Sequence, residues 1–417
     1  MATQNRWIIA VAGVLMQVAF GAVYAWSVFR IPLSHAHGWT IAEVTAAFEI
    51  AIFVVGLAAF AGGLWMKRSG PRPVGIAAAI LYGLGTMLTG TSHNLTTLYL
   101  TYGVIGGAGL GLGYIVPIAT LVKWFPDKRG MITGLAVAGF GAGALVTAPA
   151  ANSLIASVGV GGTFETLGFV YLVVVFGCAL VMRNPPEGHA PAGYRASAPQ
   201  PGRSARDFTL RQALATWQWY ALWLTLFLNT TAGIAIISQA SPMAQEISGV
   251  SAATAAGMVG LISIANGSGR FLWAWFSDAV GRRTVFLIMF LLQSAVFLLV
   301  SQVHQFALLS LFAFLILLCY GGGFGTMPAF ATDYFGTAQI GSIYGLMLTA
   351  WGCAAVFGPS LVAGIRQATG HYQGAMRWLA LATLVSAVVP LLLRPPRERL
   401  SRDFSARGVE VAPPVRS

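Results

Sequence analysis

The sequence predicts an all-α integral membrane protein in which twelve transmembrane helices form two pseudo-symmetric six-helix bundles. Of its 417 residues, 57% are hydrophobic and only 9% are charged, whereas a soluble domain carries roughly 25% charged residues. The mean hydropathy is +0.74. The apolar residues gather in stretches close to the ~20 residues that cross a ~30 Å hydrocarbon layer. This composition excludes a soluble enzyme, a disordered chain and a disulfide-stapled secreted module.

The predicted spans follow one another along the chain, numbered here from first to twelfth, and the segments between them hold most of the charged residues. The spans cover residues 7–29, 43–66, 74–92, 95–123, 130–156, 163–182, 216–238, 252–277, 284–302, 306–334, 340–365 and 376–394.

The cations are distributed unevenly between the two sides of this arrangement. Twenty of the 24 lie in segments on the same side as the N-terminus, and three, Arg30, Arg366 and Arg377, lie on the opposite side. By the positive-inside rule, both termini are expected to be cytoplasmic, with the protein in the inner (plasma) membrane of the cell. The net charge of +12 therefore indicates topology. A nucleic-acid partner is not expected, because the basic residues are divided among short loops.

The longest polar stretch, 183–211, is rich in Pro, Ala, Gly and Arg and separates six spans from six. An internal repeat supports this division, since MKRSGPRP after the second span and SDAVGRRT after the eighth place Gly70 and Gly281 at matching positions. The predicted units are an N-terminal bundle 1–182, a cytoplasmic linker 183–215, a C-terminal bundle 216–394 and a cytoplasmic tail 395–417.

The chain resembles the major facilitator superfamily in three features. They are six plus six spans, a mid-chain linker and a Gly-x-x-basic loop after the second span of each half. In that family the loop carries an acidic residue three positions before its Gly and latches one conformation through charge contacts. The second copy keeps the acid as Asp278, whereas the first has Lys67. The resemblance therefore implies an intact latch only in the C-terminal half, made by Asp278, Arg282 and Arg283.

A narrower resemblance lies in GAVYAWSVFRIPL (21–33) and KWFPDKRGMITGLAVAGFGAGA (123–144). Both segments are similar to the oxalate/formate antiporter group and the related monocarboxylate transporters. This resemblance implies a carrier of small organic anions.

Arg270 is the strongest candidate for binding such an anion. It stands eight residues before Asp278 in the eighth span, about 12 Å deep at 1.5 Å per residue. An arginine at a helix centre costs roughly 2.5–3.5 kcal/mol on insertion scales, so it is expected to face a cavity, where its fork of donors fits a carboxylate. Asn266 lies one turn away on the same face. The animal-type monocarboxylate transporters that this segment resembles carry there an aspartate implicated in proton coupling.

The eleventh span, 340–365, contains no Lys or Arg. The oxalate-exchanging members that the chain resembles have a lysine in that span, at a position matching about Trp351. A single buried cation suits a single negative charge, since the second carboxylate of oxalate would stay uncompensated in a low dielectric. We therefore expect a monocarboxylate.

Polar groups in the middle of other spans are further candidates for the site. Tyr24, Tyr114 and Tyr320 could each donate a phenol proton to a carboxylate, and Asn229 could donate its amide. The alternative for each is a packed side chain with an interhelical hydrogen bond.

An apolar wall and a proton carrier complete the predicted site. Glu49 is the acid placed well inside an early span, so it is the candidate for proton coupling. The candidates for the wall are Trp26, Phe29, Leu135, Phe324 and Trp351.

The expected function is secondary active transport of a small monocarboxylate of the L-lactate or pyruvate class, by alternating access and with proton symport. Two alternatives stay open: an oxalate/formate-type anion exchanger, and a membrane sensor that binds ligand on a carrier fold without transporting it. The sequence contains no metal-ligand spacing, nucleophile triad or phosphate-binding loop. No catalytic residue, metal or cofactor is therefore expected, and the partners are the organic anion, the proton and the lipid bilayer, with the protein as a monomer.

Overall fold

The computed structural model describes residues 5–186, 207–300 and 302–396, and in this part of the chain every regular element is helical. The first half has a first span in three pieces, the 3₁₀ turn Ala22–Ala25 standing between two α-helices, and a fourth span that contains the π-helix Tyr99–Gly106. The helices of this half are Arg6–Gly21, Ala22–Ala25, Trp26–His37, Ile41–Ser69, Pro71–Thr89, Leu95–Leu98, Tyr99–Gly106, Gly107–Trp124 and Arg129–Val181.

The second half begins with one short helix that precedes the seventh span. Its helices are Leu210–Leu214, Trp217–Ser248, Ala252–Val280, Arg282–Val300, Phe306–Phe335, Ile340–Met347, Thr349–Thr369, Gln373–Ser386 and Val388–Leu392.

The predicted count of spans agrees with these helices. Ten of the described helices are long and apolar enough to cross a membrane. One of them, Gly130–Val181, is turned at Gly159 (φ 74°, ψ 175°) and supplies both the fifth and the sixth span. The 29-residue helix Ala252–Val280 is the eighth span. The ten helices count as eleven spans, because one of them supplies two. The helix Ala252–Val280 is the twelfth.

The loop glycines of the internal repeat share a positive φ. Gly70 has φ 76° and Gly281 has φ 90°, a region that residues with a Cβ rarely adopt. Each glycine ends one long helix and starts the next within a single residue, which explains why both copies of the loop carry it.

The seventh span is longer than predicted. Its apolar stretch was expected to end at 238, but the helix Trp217–Ser248 continues for ten further residues to the left-handed C-cap Gly249 (φ 64°). The added residues mix polar side chains with the buried Ala240, Met243 and Ala244. The helix continues past Pro242 and ends at Gly249, whose left-handed conformation is typical of a helix C-cap.

The two halves meet mainly on one side of the molecule, here called the terminus face, which carries Asn5 and the loops after the even-numbered spans. A Cβ on Gly63 would collide with the Gly341 carbonyl, and one on Gly141 would collide with Gly267. Nearer the opposite face, a Cβ on Gly257 or Gly260 would meet no described atom within 4 Å. The halves are therefore closed against each other at the terminus face.

Candidate functional site

Arg270 is fully buried at the centre of the eighth span. Its Nε donates to the Asn266 side-chain oxygen at 3.1 Å, and its Nη2 donates to the Tyr24 hydroxyl at 3.4 Å. The guanidinium carbon lies 4.8 Å from the ring centre of Phe324 and 5.1 Å from that of Phe140. The arginine thus lies between the two halves, with an amide, a phenol and aromatic faces around it.

Close backbone packing brings these side chains together. A Cβ on Gly21 would collide with the Phe140 carbonyl, so the first and fifth spans approach closely enough for Tyr24 and Phe140 to touch edge to face at 5.1 Å. A Cβ on Gly325 would likewise collide with the carbonyl of Arg270. This contact of the eighth and tenth spans places Phe324 against the guanidinium.

Six rings form what we call the aromatic cage around Arg270. Trp351 of the eleventh span has its ring centre 5.1 Å from Phe324 and 5.9 Å from both Tyr114 and Phe140. The hydroxyls of Tyr24 and Tyr320 lie 3.3 Å apart, joining the first and tenth spans. The members of the cage are Tyr24, Tyr114, Phe140, Tyr320, Phe324 and Trp351.

Several hydrogen-bond donors in and beside the cage are buried without an acceptor among the described residues. They are the Nη1 of Arg270, the hydroxyls of Tyr114 and Tyr344, and the indole Nε1 of Trp351. The two hydroxyls lie near each other and near Arg270 without completing a well-formed hydrogen bond. A buried donor with no partner costs about 1–3 kcal/mol, so this arrangement suits a ligand that brings acceptors and negative charge.

Some predicted residues lie away from the cage. Trp26 and Phe29 pack instead with Tyr102 and Phe164, at ring distances of 4.1 Å (Trp26–Tyr102) and 4.4 Å (Phe29–Phe164). The 3₁₀ turn Ala22–Ala25 has three residues per turn, so it changes the direction in which the helix after Tyr24 presents its side chains.

The structure places Asn229, Leu135 and Glu49 outside the aromatic cage. The Asn229 amide donates to the Cys319 carbonyl at 3.3 Å, and its oxygen presses against Gly323. Leu135 is half-buried against the core, and Glu49 is exposed. Asn229 is therefore a contact between the seventh and tenth spans, and Glu49 makes no described ion pair with the arginine.

Phe140 and Tyr344 belong to the site but were missed from the sequence. An aromatic residue inside an apolar span gives no signal of its own, because it is compatible with simple packing. Tyr344 did carry a positional signal, since it precedes Trp351 by seven residues, which places both on one face of a helix.

The predicted latch residues make contacts at the terminus face. The Asp278 carboxylate accepts backbone N–H groups of Gly130 (3.2 Å) and Met131 (2.9 Å), at the start of the fifth span. Arg282 pairs with Asp278 at 2.6 Å and with Asp333 at 3.1 Å. Asp278 thus joins the second half to the first, with its negative charge at a helix N-terminus.

Arg283 acts within the second half only. Its guanidinium donates to the carbonyls of Pro390 (3.0 Å) and Leu391 (2.6 Å) at the end of the twelfth span. It therefore fastens the ninth span to the twelfth and does not reach across to the first half.

Comparison with known proteins shows which family and which relatives this chain is similar to. The model of the Major Facilitator Superfamily matches residues 9–272 and 222–416. An oxalate:formate antiporter of Oxalobacter formigenes is 27% identical over 97% of this chain and 96% of the relative. Apicoplast pyruvate carrier 1 of Toxoplasma gondii is 26% identical over 82% of this chain and 73% of the relative. Among solved structures, the human organic anion transporter MFSD10 superposes with a TM-score of 0.71 at 15% identity, covering 93% of this chain and 99% of that one.

Proposed function

Since the chain belongs to the Major Facilitator Superfamily of membrane transporters, we propose that it is a secondary carrier of small monocarboxylate anions in which Arg270 binds the carboxylate. Its relatives include an oxalate:formate antiporter and a pyruvate carrier, which supports a small organic anion as the substrate class. Neither the family nor these relatives are enzymes.

The observation that carries this proposal is the set of unsatisfied donors around a buried positive charge. Arg270 is fully buried, and its Nη1 has no acceptor among the described residues, nor do the hydroxyls of Tyr114 and Tyr344. A carboxylate would supply two acceptor oxygens and one negative charge. Charge-assisted hydrogen bonds of this kind are roughly twice as strong as neutral ones.

A single negative charge fits the site better than two. Among the described residues that are buried and charged, Arg282 and Asp333 pair with each other and lie at the terminus face. Arg270 is the remaining buried cation of that group. A dicarboxylate would leave one carboxylate uncompensated beside the aromatic cage, at a cost of several kcal/mol.

Transport follows from the difference between the empty and the loaded site. The rings of Phe140 and Phe324 lie over the guanidinium, and each such contact is worth about 2 kcal/mol when desolvated. A bound carboxylate neutralises the charge and takes up the free donors. Binding of the anion therefore changes the free energy of closing the bundles 1–182 and 216–394 around the site. This change shifts the equilibrium between the two states of the carrier.

The proposed orientation follows the distribution of cations, with the terminus face cytoplasmic. The linker and tail then lie inside the cell, and Arg270 is reached from outside when the terminus face is closed. Most residues of both segments lie outside the described residues.

The coupling ion separates two versions of this function. Proton symport, as expected from the sequence, requires a group that takes up a proton near the anion. Among the described residues, the polar groups that touch Arg270 are the amide of Asn266 and the phenol of Tyr24, and neither titrates near neutral pH. This observation favours the second candidate, exchange of one anion for another.

Reconstituted protein distinguishes these mechanisms. Vesicles containing the carrier are loaded with or without unlabelled formate, and uptake of labelled lactate, pyruvate and formate is measured with and without an imposed pH gradient. Symport predicts uptake into empty vesicles that follows the gradient, whereas exchange predicts uptake that requires internal anion and ignores the gradient. Binding of these anions without any uptake would favour the sensor.

The substitution Asn266→Asp tests the electrostatics of the site. A carboxylate 3.1 Å from the Arg270 Nε would supply the counter-charge in place of the substrate, so affinity at neutral pH is expected to fall about tenfold, or ~1.4 kcal/mol. The arginine would keep the pKa of the new carboxyl low, so this group should stay ionised and the loss of affinity should persist at mildly acidic pH. Dissociation constants measured from neutral to mildly acidic pH provide the check.

The control is Asn266→Ser, which keeps a neutral acceptor and should leave the affinity close to that of the unaltered protein. If Asn266→Asp bound the anion as tightly as the unaltered protein at every pH, Arg270 would not be the group that the anion neutralises.

A further inference from the structure

A groove on the outer surface of the first half lies away from the aromatic cage. It runs between the first and sixth spans near the terminus face, with a volume of about 390 Å³, and is bordered by Trp7, Val11, Leu15, Gly177 and Val181. Trp7 and Val11 are 45% and 58% exposed. In a membrane-spanning chain this apolar surface faces lipid.

The groove exists because Gly177 lacks a side chain. A Cβ at this position would meet no described atom within 4 Å, so any larger residue would extend into the groove. From Trp7 to Leu15 the groove follows eight residues of helix, about 12 Å at 1.5 Å per residue. That length is close to one leaflet, half of the ~30 Å hydrocarbon layer, and so suits an extended acyl chain.

Cations stand where the groove reaches the terminus face. Arg183 follows the groove residue Val181 by two positions and has no ion-pair partner among the described residues. Lys123 lies beside it, since its Nζ donates to the side-chain oxygen of Asn184 at 3.3 Å. Arg6, next to Trp7, is already paired with Asp127 at 2.8 Å. Lys123 has the Asp207 carboxylate nearby as a counter-charge, so Arg183 is the cation at the mouth of the groove without a partner among the described residues.

We propose that this groove binds one acyl chain of an anionic phospholipid, with the lipid phosphate held by Arg183. Arginine binds phosphate oxygens through two parallel hydrogen bonds, and a basic residue near the membrane surface attracts anionic head groups. The indole of Trp7 lies at the level where such rings meet the head groups. The site is independent of the carboxylate bound by Arg270.

Native mass spectrometry of the purified protein tests the proposal, with phosphatidylglycerol and phosphatidylcholine of identical acyl chains as probes. The unaltered protein is expected to retain at least about fivefold more phosphatidylglycerol than phosphatidylcholine. Gly177→Leu, which fills the groove, should remove most of the bound lipid of both kinds. Arg183→Gln should remove the preference and leave the binding of phosphatidylcholine unchanged.

The matched control is Gly364→Leu, because a Cβ on Gly364 also meets no described atom within 4 Å and lies in the eleventh span. It should retain lipid as the unaltered protein does. Equal retention of both lipids by the unaltered protein, or undiminished lipid in Gly177→Leu, would overturn the proposal. So would a dimer that Gly177→Leu converts to monomer, because the groove would then belong to a second copy of the chain.

Discussion

Replacing Arg270 with lysine is expected to reduce monocarboxylate uptake by roughly a hundredfold or more. Losing the partner of a buried, hydrogen-bonded charge costs about 2–5 kcal/mol, and an ammonium group does not reproduce the planar fork of donors. The Nε–Asn266 and Nη2–Tyr24 hydrogen bonds would also be lost, so the remaining charge would no longer be held in position. Initial rates in proteoliposomes measure the effect.

Arg366→Lys is the matched control for this substitution. Arg366 is exposed near the opposite face, where it pairs with Glu246, and exposed pairs of this kind contribute about 0–1 kcal/mol. Uptake by Arg366→Lys should stay near that of the unaltered protein. Near-normal uptake by Arg270→Lys, at equal amounts of folded protein, would remove Arg270 from the site.

Gly63→Val is expected to abolish transport through a different cause. A Cβ at this position would collide with the backbone carbonyl of Gly341, so the second and eleventh spans could not close at the terminus face. Backbone cannot move aside as a flexible side chain can, and overpacking of this kind costs about 1–3 kcal/mol or more. A carrier that cannot adopt one of its two states binds substrate but does not release it on the other side.

Two measurements check this expectation. Uptake should fall at least about fiftyfold, which corresponds to ~2.3 kcal/mol. A cysteine introduced as Gly260→Cys, near the opposite face, should react more slowly with a thiol reagent in the Gly63→Val background. Gly257→Val is the control, because a Cβ there meets no described atom within 4 Å. Normal uptake by Gly63→Val would mean that the described closure is not a step of transport.

The fold could be predicted from the sequence because lipid imposes simple rules. Spans of about 20 apolar residues and the grouping of charges were sufficient to number the helices. The exact ends were harder to place. The helix Trp217–Ser248 continues for ten residues beyond its predicted end, since hydropathy does not report the backbone hydrogen bonds that continue a helix past an apolar stretch.

The sequence predicts those residues of the candidate site whose burial in a membrane costs much free energy. It does not predict those whose burial costs little. Arg270 and its neighbour Asn266 stand out in a lipid-facing sequence, and hydroxyls at mid-span, such as Tyr24, do so to a lesser degree. Phe140 is indistinguishable from any packed ring until the first and fifth spans are seen to touch. Trp26 packs with Tyr102 outside the aromatic cage, after a 3₁₀ turn that cannot be read from hydropathy.

Binding of matched charged and neutral ligands tests the central claim most directly. Thermal unfolding of the purified protein is followed with lactate and with lactamide, which keeps the shape of lactate but replaces its carboxylate by a neutral amide; pyruvate and pyruvamide form a second pair. A ligand that binds the folded state raises the unfolding temperature in a concentration-dependent manner. If Arg270 recognises a carboxylate, at least one of the anions stabilises the unaltered protein, its amide does not, and Arg270→Lys loses the difference. Equal stabilisation by an anion and its amide, or an anion effect that persists in Arg270→Lys, would contradict this assignment.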